Sequence, residues 1–373
     1  MFEQERNPDM KQSIRITELV CYLAVFEVGS TTLFFLGADA GRDAWLAMSV
    51  AALIGLFLLM MYLLIHRTHP ELDLYGVCRK QFGKVIGTVV NLAFVGYFTY
   101  EASRNLRDLG ELTILTLLDR TPLMAIILIT LIVVANTVRY GPYVVILTCA
   151  GFLPIMILSY LTIYTLLVSS GLIRYEIMLP VLEHGFQPVW SAAVPEIVSF
   201  PFGQTLLFML FFPLVKKKRK LGRSVIITYL ITAICLILIN QINVLVLGPT
   251  RAINSTLPLL QVVQLIEIAE TFERFDVLFV FVLVLGLGSK MAAFFMGAVM
   301  GLHKITGWSY KMWTVVVSVC LYAIAFISPN YPHHIWLGIK VVVTYVTPFF
   351  QVVLPLILLV VIGIRRKWGK QQS

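Results

Sequence analysis

The sequence predicts an all-α integral membrane protein with about ten transmembrane helices in two related halves. Of the 373 residues, 59% are hydrophobic and only 13% are charged, and the mean hydropathy is +0.88. Apolar runs of about twenty residues, the length that crosses a bilayer as a helix, recur along the chain. A short sequence pattern also occurs in an apolar run of each half.

The predicted spans follow one another with short polar connections. The third run continues past the membrane as one long helix, because apolar positions recur every three or four residues as far as residue 111. A short outer helix is expected within 257–272, where Ser255 and Thr256 precede Pro258. The ten predicted spans are 17–37, 44–65, 85–110, 122–138, 142–168, 188–215, 222–247, 275–303, 311–328 and 336–364.

The spans divide into two groups of five. We therefore expect a first repeat over 17–168 and a second over 188–364, joined by an outer loop over 169–187. Short tails over 1–16 and 365–373 complete the chain. None of these connections is long enough to form a soluble domain with its own chemistry.

Basic residues cluster at the ends of the predicted spans. The segments assigned to the inside contain twenty Lys and Arg residues, including those of the run at 216–220. The outer segments contain seven, and Arg104 and Arg107 are among them. This asymmetry predicts that both termini are cytoplasmic. Since the positive charge marks topology, the net charge of +9 does not indicate a nucleic acid partner.

The apolar run at 188–215 contains signals that interrupt a helix. Pro201 lacks a backbone donor and crowds the preceding turn, and Gly203 adopts non-helical conformations at little cost. Unpaired backbone groups are costly in lipid, so a break is tolerated where it is buried in protein or lines a polar cavity. The run is therefore predicted to form two half-helices with a binding site at the break.

The pattern Gly-x-Thr-x-Leu-Phe occurs at 29–34 and again at 203–208. A chance match in a chain rich in Leu and Phe is an alternative explanation. The equal placement, in the first run of each half, favours a true repeat with broken first and sixth helices. Interrupted segments at corresponding positions of two halves are typical of transporter binding sites.

Two opened helices offer backbone groups to a ligand. N–H groups around Gly29, Ser30 and Thr31 suit a carboxylate, and carbonyl groups around Ser199, Phe200 and Phe202 suit an ammonium. Together they predict a site for a zwitterion, most simply an amino acid, although helix packing alone would also explain the aromatic residues. Other predicted ligand-binding residues are Tyr97, Tyr100, Gly203, Gln204 and Thr205, with Tyr97, Tyr100 and Phe200 as walls.

Ionisable residues inside a predicted span, close to a break or near its middle, require an explanation. They are Glu27, Glu101, Glu196 and Lys290. A carboxylate beside an ammonium can remain charged in apolar surroundings, so we expect at least one of these glutamates near Lys290. Cross-linking of helices is an alternative role for each residue.

The residues do not predict an enzyme, a cofactor or a metal site. The five cysteines include no Cys-x-x-Cys pair. Neither histidine pair, His66/His69 or His333/His334, is accompanied by the set of Cys or carboxylate residues that metal sites usually contain. No Ser-His-Asp or Cys-His grouping is supported by spacing.

Several short motifs occur in order along the chain: AGRDAW at 40–45, Leu179-Pro180, Glu196 with Pro213, and FERFD at 272–276. Together they resemble the B subunits of spore nutrient germinant receptors, permease-like membrane proteins of endospore-forming bacteria. That family is similar to amino acid/polyamine/organocation transporters, whose leucine-transporter-type fold has two inverted five-helix repeats. Many of those transporters have Gly-x-Gly in the first break, whereas this chain has Thr31 as the third residue.

The resemblance implies a receptor subunit that senses a small nutrient. It also implies partners, an A-type membrane subunit and a C-type lipoprotein, and a location in the spore inner membrane. Two other functions stay open on the residues alone: a proton-coupled amino acid permease acting by itself, and a conduit for ions or water. Lys290 could occupy the place where a sodium ion would sit between spans one and eight. This position favours transport coupled to protons, or transport without any ion coupling.

Overall fold

The computed structural model describes residues 13–216, 218–266 and 276–371. Almost all of these residues form helices or the short connections between them. The tail at 1–12 and most of the FERFD motif lie outside the described residues.

The described residues contain eight helical segments that are long and apolar enough to cross a membrane. Two shorter apolar helices, Leu123–Val138 and Tyr310–Ala325, fall at the fourth and ninth predicted spans. The all-α membrane fold is therefore confirmed, whereas a count of ten crossings and the five-plus-five repeat stay predictions. The eight long segments are Ile16–Leu33, Ala38–Thr68, Lys84–Thr116, Pro142–Ser169, Gln187–Leu210, Leu221–Leu247, Val277–Thr306 and Tyr331–Arg366.

Some of these segments contain more than one helix. The fifth predicted span consists of Pro142–Ala150 and Leu153–Ser169, and the last contains the wider π-helices Trp336–Val346 and Phe349–Val353 before Leu354–Gln371. The predicted outer helix begins at Pro258 and ends at Gln264, and the rest of its predicted range lies largely outside the described residues. Two further short helices are Leu74–Phe82 and Pro249–Asn254.

The first and sixth spans are both interrupted. The first is α-helical over Ile16–Gly29 and continues as the 3₁₀ turn Thr31–Leu33. The sixth passes from Gln187–Ala192 through the π-helical turn Ala193–Ile197, which is kinked at the extended residue Val194, and then becomes the 3₁₀ helix Phe202–Leu210. The second half-helix is thus of the 3₁₀ type. The segment lies between Pro201 and Pro213, which cannot donate helical hydrogen bonds, and short 3₁₀ stretches are common beside such ends.

The third span is one continuous helix, Lys84–Thr116, that extends beyond its predicted end at 110. Its outer part packs against protein, because Arg104, Arg107 and Asp108 are each at most 5% exposed. Arg104 and Arg107 were therefore wrongly counted as outer-loop charges. Without them, the excess of basic residues on the predicted inner side is larger.

The outer loop before the sixth span is held against the loop that follows the first. Arg42 pairs with Glu183 at 3.1 Å and donates a hydrogen bond to the Leu179 carbonyl at 2.7 Å. Asp43 accepts from the backbone N–H of Leu182 at 3.1 Å. Spacing alone favours solvated loop charges for Asp39, Arg42 and Asp43. The structure instead joins two of the motifs that carry the family resemblance.

The chain before the first span is tied to the end of the sixth. Ile14 donates a backbone hydrogen bond to Leu214 at 3.1 Å and accepts one from Lys216 at 3.2 Å. These bonds form a short parallel bridge between Ile14 and Val215. Both interrupted spans are thus joined at one end.

The first and eighth spans approach each other through glycine. A Cβ atom on Gly286 would lie 2.7 Å from the Cα of Gly29 and 2.9 Å from its carbonyl oxygen. The backbones are therefore too close for any side chain between them, an arrangement that membrane helices obtain with small residues.

We expect Gly286→Ala to destabilise the protein by about 1–3 kcal/mol, because the added methyl group meets rigid backbone. Gly288→Ala is a matched control in the same helix, since its Cβ would meet only Leu109 Cδ1 at 3.9 Å. Thermal unfolding of the two purified variants provides the measurement. Equal unfolding midpoints for both variants and the unsubstituted protein would contradict the close contact.

Candidate functional site

The two breaks lie against each other. Phe34, which ends the first occurrence of the repeated pattern, has its ring centroid 6.3 Å from that of Phe200 in the other break. Phe208, which ends the second occurrence, lies 5.3 Å from Phe26 on the first span. Each occurrence of the pattern therefore packs on the other interrupted span.

Both occurrences also have the same backbone form, because each enters a 3₁₀ turn directly after its break. The threonine at the third position donates to a carbonyl group in each case, Thr31 to Glu27 at 2.5 Å and Thr205 to Phe202 at 3.0 Å. The Phe202 carbonyl, predicted to be free for a ligand, thus has one partner already. A carbonyl oxygen has two lone pairs, so one acceptor position is left.

The glycines at the breaks are required for space. We expected Gly203 to adopt a backbone conformation that other residues avoid, but neither Gly29 nor Gly203 has a positive φ. A Cβ on Gly203 would overlap Oε1 of Gln351 and lie 3.0 Å from the Val198 carbonyl. A Cβ on Gly29 would lie 2.5 Å from the Gly286 carbonyl. Close packing therefore fixes glycine at both positions.

Lys290 lies between the two interrupted spans. Its side chain is fully buried, and its Nζ has no hydrogen-bond partner among the described residues. The ammonium is 5.0 Å from the centre of the Phe26 ring and 4.7 Å from that of Phe200. Aromatic faces attract cations, most strongly where water is excluded. A single positive charge thus contacts both interrupted spans, at Phe200 in the second break and at Phe26 in the helix before the first.

Glu27 and Glu101 lie close enough to Lys290 for their charges to interact. Glu27 is 1% exposed, and within the described part of the chain neither of its carboxyl oxygens has a hydrogen-bond partner. Glu101 is fully buried and accepts from Gln204 Nε2 at 3.1 Å. The amide nitrogen of Gln204 is therefore engaged, while its oxygen has no partner in the described part of the chain.

Glu196 does not lie beside Lys290. It pairs with Lys340 at 2.9 Å, and the Lys340 side chain is 55% exposed. The position of Glu196, only three residues before Ser199, suggested proximity to the break. The helical turn between them directs the two side chains differently, and Glu196 lies at the periphery.

Arg104 is a site residue that the sequence analysis missed. It is 4% exposed, its Nη1 lies 4.0 Å from Glu101 Oε1, and its guanidinium is 5.0 Å from the Phe200 ring. Phe200 therefore contacts the two cations Arg104 and Lys290. The available signal was the three-residue spacing of Glu101 and Arg104, which places both on one face of a helix.

The last span contributes residues that were not predicted. Gln351 donates from Nε2 to the Tyr97 hydroxyl at 3.0 Å, and Phe350 stacks on the Tyr97 ring at 4.6 Å. Tyr62 donates to the Gln351 carbonyl at 2.6 Å. Tyr97 is thus held by this span, while Tyr100 is only half-buried. A lone Gln after Pro348 in an apolar run was the available signal.

The site is closed to solvent. Ser30, Thr31, Ser199, Phe202 and Thr205 are each at most 3% exposed. Several buried polar atoms nevertheless have no hydrogen-bond partner among the described residues. Because buried polar groups are normally paired, this concentration is suited to binding a small polar molecule. The unpaired atoms are both Glu27 carboxyl oxygens, Ser30 Oγ, Gln204 Oε1, Lys290 Nζ and Gln351 Oε1.

Comparison with known proteins identifies relatives of this chain. A family model described as "Spore germination protein" matches residues 13–335. The chain is 29% identical over 360 residues to Spore germination protein KB of Bacillus subtilis (strain 168), covering 96% of both chains. It is 24% identical to Spore germination protein B2 of the same organism, covering 92% of this chain and 95% of the relative.

A solved structure shares the fold. Mhp1, a nucleobase-cation-symport-1 family transporter in a closed conformation with bromovinylhydantoin bound, is similar with a TM-score of 0.55. The match covers 86% of this chain and 74% of the transporter at 14% identity. This likeness shows a transporter-type fold for the chain.

Proposed function

This chain belongs to the family of spore germination proteins, and from that premise we propose that it is a nutrient-sensing membrane subunit of a spore germinant receptor. The ligand is a small zwitterion, an amino acid, bound between the interrupted first and sixth spans. One observation carries this proposal: the buried Lys290 ammonium contacts both interrupted spans, through Phe26 and Phe200, and the buried Glu27 carboxylate interacts with its charge.

The chemistry of an amino acid matches the groups around the breaks. Its carboxylate is bound by the N–H groups at Ser30 and Thr31 and by the Lys290 ammonium. Its own ammonium is bound by Glu27 and by carbonyl groups near Ser199. Charged hydrogen bonds in a water-excluded place are stronger than the same bonds in water. A neutral sugar would leave both charges of the site without a partner.

Assembly with other proteins is part of the proposal. An A-type membrane subunit and a C-type lipoprotein complete the receptor in the spore inner membrane, with both termini of this chain in the cytoplasm. The family membership supports the receptor complex, and the basic residues at the predicted inner ends support the orientation.

The test is a ligand panel on the purified full-length protein in lipid nanodiscs. Free amino acids should raise the unfolding temperature, with a stabilisation of about 2.7 kcal/mol at a concentration one hundred times the dissociation constant. N-acetylated and carboxamide derivatives of the same amino acids should not. Equal stabilisation by the blocked derivatives, or by neutral sugars alone, would reject a zwitterion site.

A permease acting alone is the second candidate, favoured by the buried Lys290 and the transporter-type fold. Reconstitution in liposomes separates the two functions. Accumulation of a radiolabelled amino acid under an imposed proton gradient, without other subunits, would identify a permease. Binding without accumulation is expected for the receptor subunit.

A further inference from the structure

A small cavity lies beside the first break. It has a volume of about 10 Å³, room for about one water molecule, and is lined by Thr31, Thr32, Asn240, Asn243 and three apolar side chains. Thr31 belongs to the proposed amino acid site, so the cavity adjoins that site directly. The seventh span, which supplies both asparagines, was not part of the predicted site.

Most polar groups around this cavity already have partners. Asn240 accepts from the Leu36 N–H at 3.0 Å and donates to the Leu36 carbonyl at 2.9 Å. The hydroxyl groups of Thr32 and Tyr160 share a hydrogen bond of 2.8 Å. These contacts fix two walls of the cavity.

Asn243 differs from these neighbours. It is 2% exposed, and its Oδ1 has no hydrogen-bond partner among the described residues. A buried acceptor of this kind is costly unless a donor reaches it. The cavity therefore combines room for one small group with an acceptor that requires a donor.

We propose that this cavity is the side-chain subsite of the receptor and that it selects a small amino acid with a side-chain hydroxyl, which donates to Asn243. The inference rests on the proposed function, since it assumes an amino acid at the adjacent break. A hydroxyl group has the size of a water molecule and can make the same hydrogen bond. A methyl group in its place displaces water and leaves Asn243 unpaired.

L-threonine and L-valine provide a matched pair of probes, because they have nearly the same shape and differ in one hydroxyl. We expect the full-length protein in nanodiscs to bind threonine about tenfold more tightly than valine. L-serine should likewise bind more tightly than L-alanine. Asn243→Leu should remove or reverse the preference, while Asn254→Leu, an exposed asparagine on an outer helix, should retain it.

The outcomes separate this inference from the proposed function. Binding of amino acids without a preference for the hydroxyl member would overturn the subsite and leave the zwitterion site standing, as would a preference unchanged by Asn243→Leu. Failure of every free amino acid to bind would overturn both. If Asn243→Leu does not fold, Asn243→Ala removes the acceptor without adding bulk and should equally lose the preference.

Discussion

Spores that carry Gly203→Val are expected to lose their nutrient response while the protein remains in the membrane at its normal level. A side chain at this position overlaps Gln351 and presses on the Val198 carbonyl, so the break and the last span cannot keep their present contact. Overpacking of this kind costs about 1–3 kcal/mol, and here it falls directly on the proposed ligand position. Germination kinetics and protein level in the same spores provide the measurement.

Gly96→Val is the matched control for this substitution. Gly96 lies in the third span, and a Cβ there meets nothing within 4 Å. Gly203→Ala combined with Gln351→Ala gives a sharper test, because removal of the overlapping amide should restore part of the binding lost in Gly203→Ala. A normal response from Gly203→Val, at the usual nutrient concentration, would exclude the break as the binding site.

Lys290→Met should abolish amino acid binding, because the ammonium is the buried positive charge that contacts both interrupted spans. Met has a similar shape and is apolar, so the substitution removes charge with little change in packing. Glu27 then loses its favourable interaction with this charge, and a buried carboxylate without a compensating charge is destabilising. The thermal stability of the single variant should therefore also fall, as should the binding of free amino acids in nanodiscs.

A double variant separates the two effects of this substitution. Lys290→Met with Glu27→Gln removes both charges, so it should recover stability and still fail to bind a zwitterion. Recovery of both stability and nutrient response would show that the two charges only hold the helices together. This outcome would restrict the functional site to the backbone groups of the breaks.

Local signals predicted the interrupted spans correctly. Pro201 removes a backbone donor wherever it stands, and the repeated pattern at 29–34 and 203–208 marks the two places where each span takes the 3₁₀ form. The apolar runs likewise define an all-α membrane protein, because length and composition alone decide whether a helix can cross a bilayer. The repeat boundaries at 17–168 and 188–364 stay predictions.

Contacts between distant parts of the chain could not be predicted in the same way. Gln351 and Tyr97 are 254 positions apart, and only the fold brings them together beside Gly203. Sequence proximity was misleading for Glu196, which is near the break in the chain and pairs outward with Lys340. The direction in which a side chain points from its helix decides whether it reaches the site. For Glu196 this direction depends on the π-helical turn at Ala193–Ile197.

The sixth span is longer than it would be as an α-helix, because Phe202–Leu210 has the 3₁₀ form. A 3₁₀ helix rises about 2.0 Å per residue and an α-helix about 1.5 Å, so rewinding these nine residues would shorten the segment by about 4–5 Å. Because Val215 is bridged to Ile14, this shortening would also pull the start of the first span. The two halves of the site are thus mechanically joined, and a change of winding in one reaches the other without passing through the ligand.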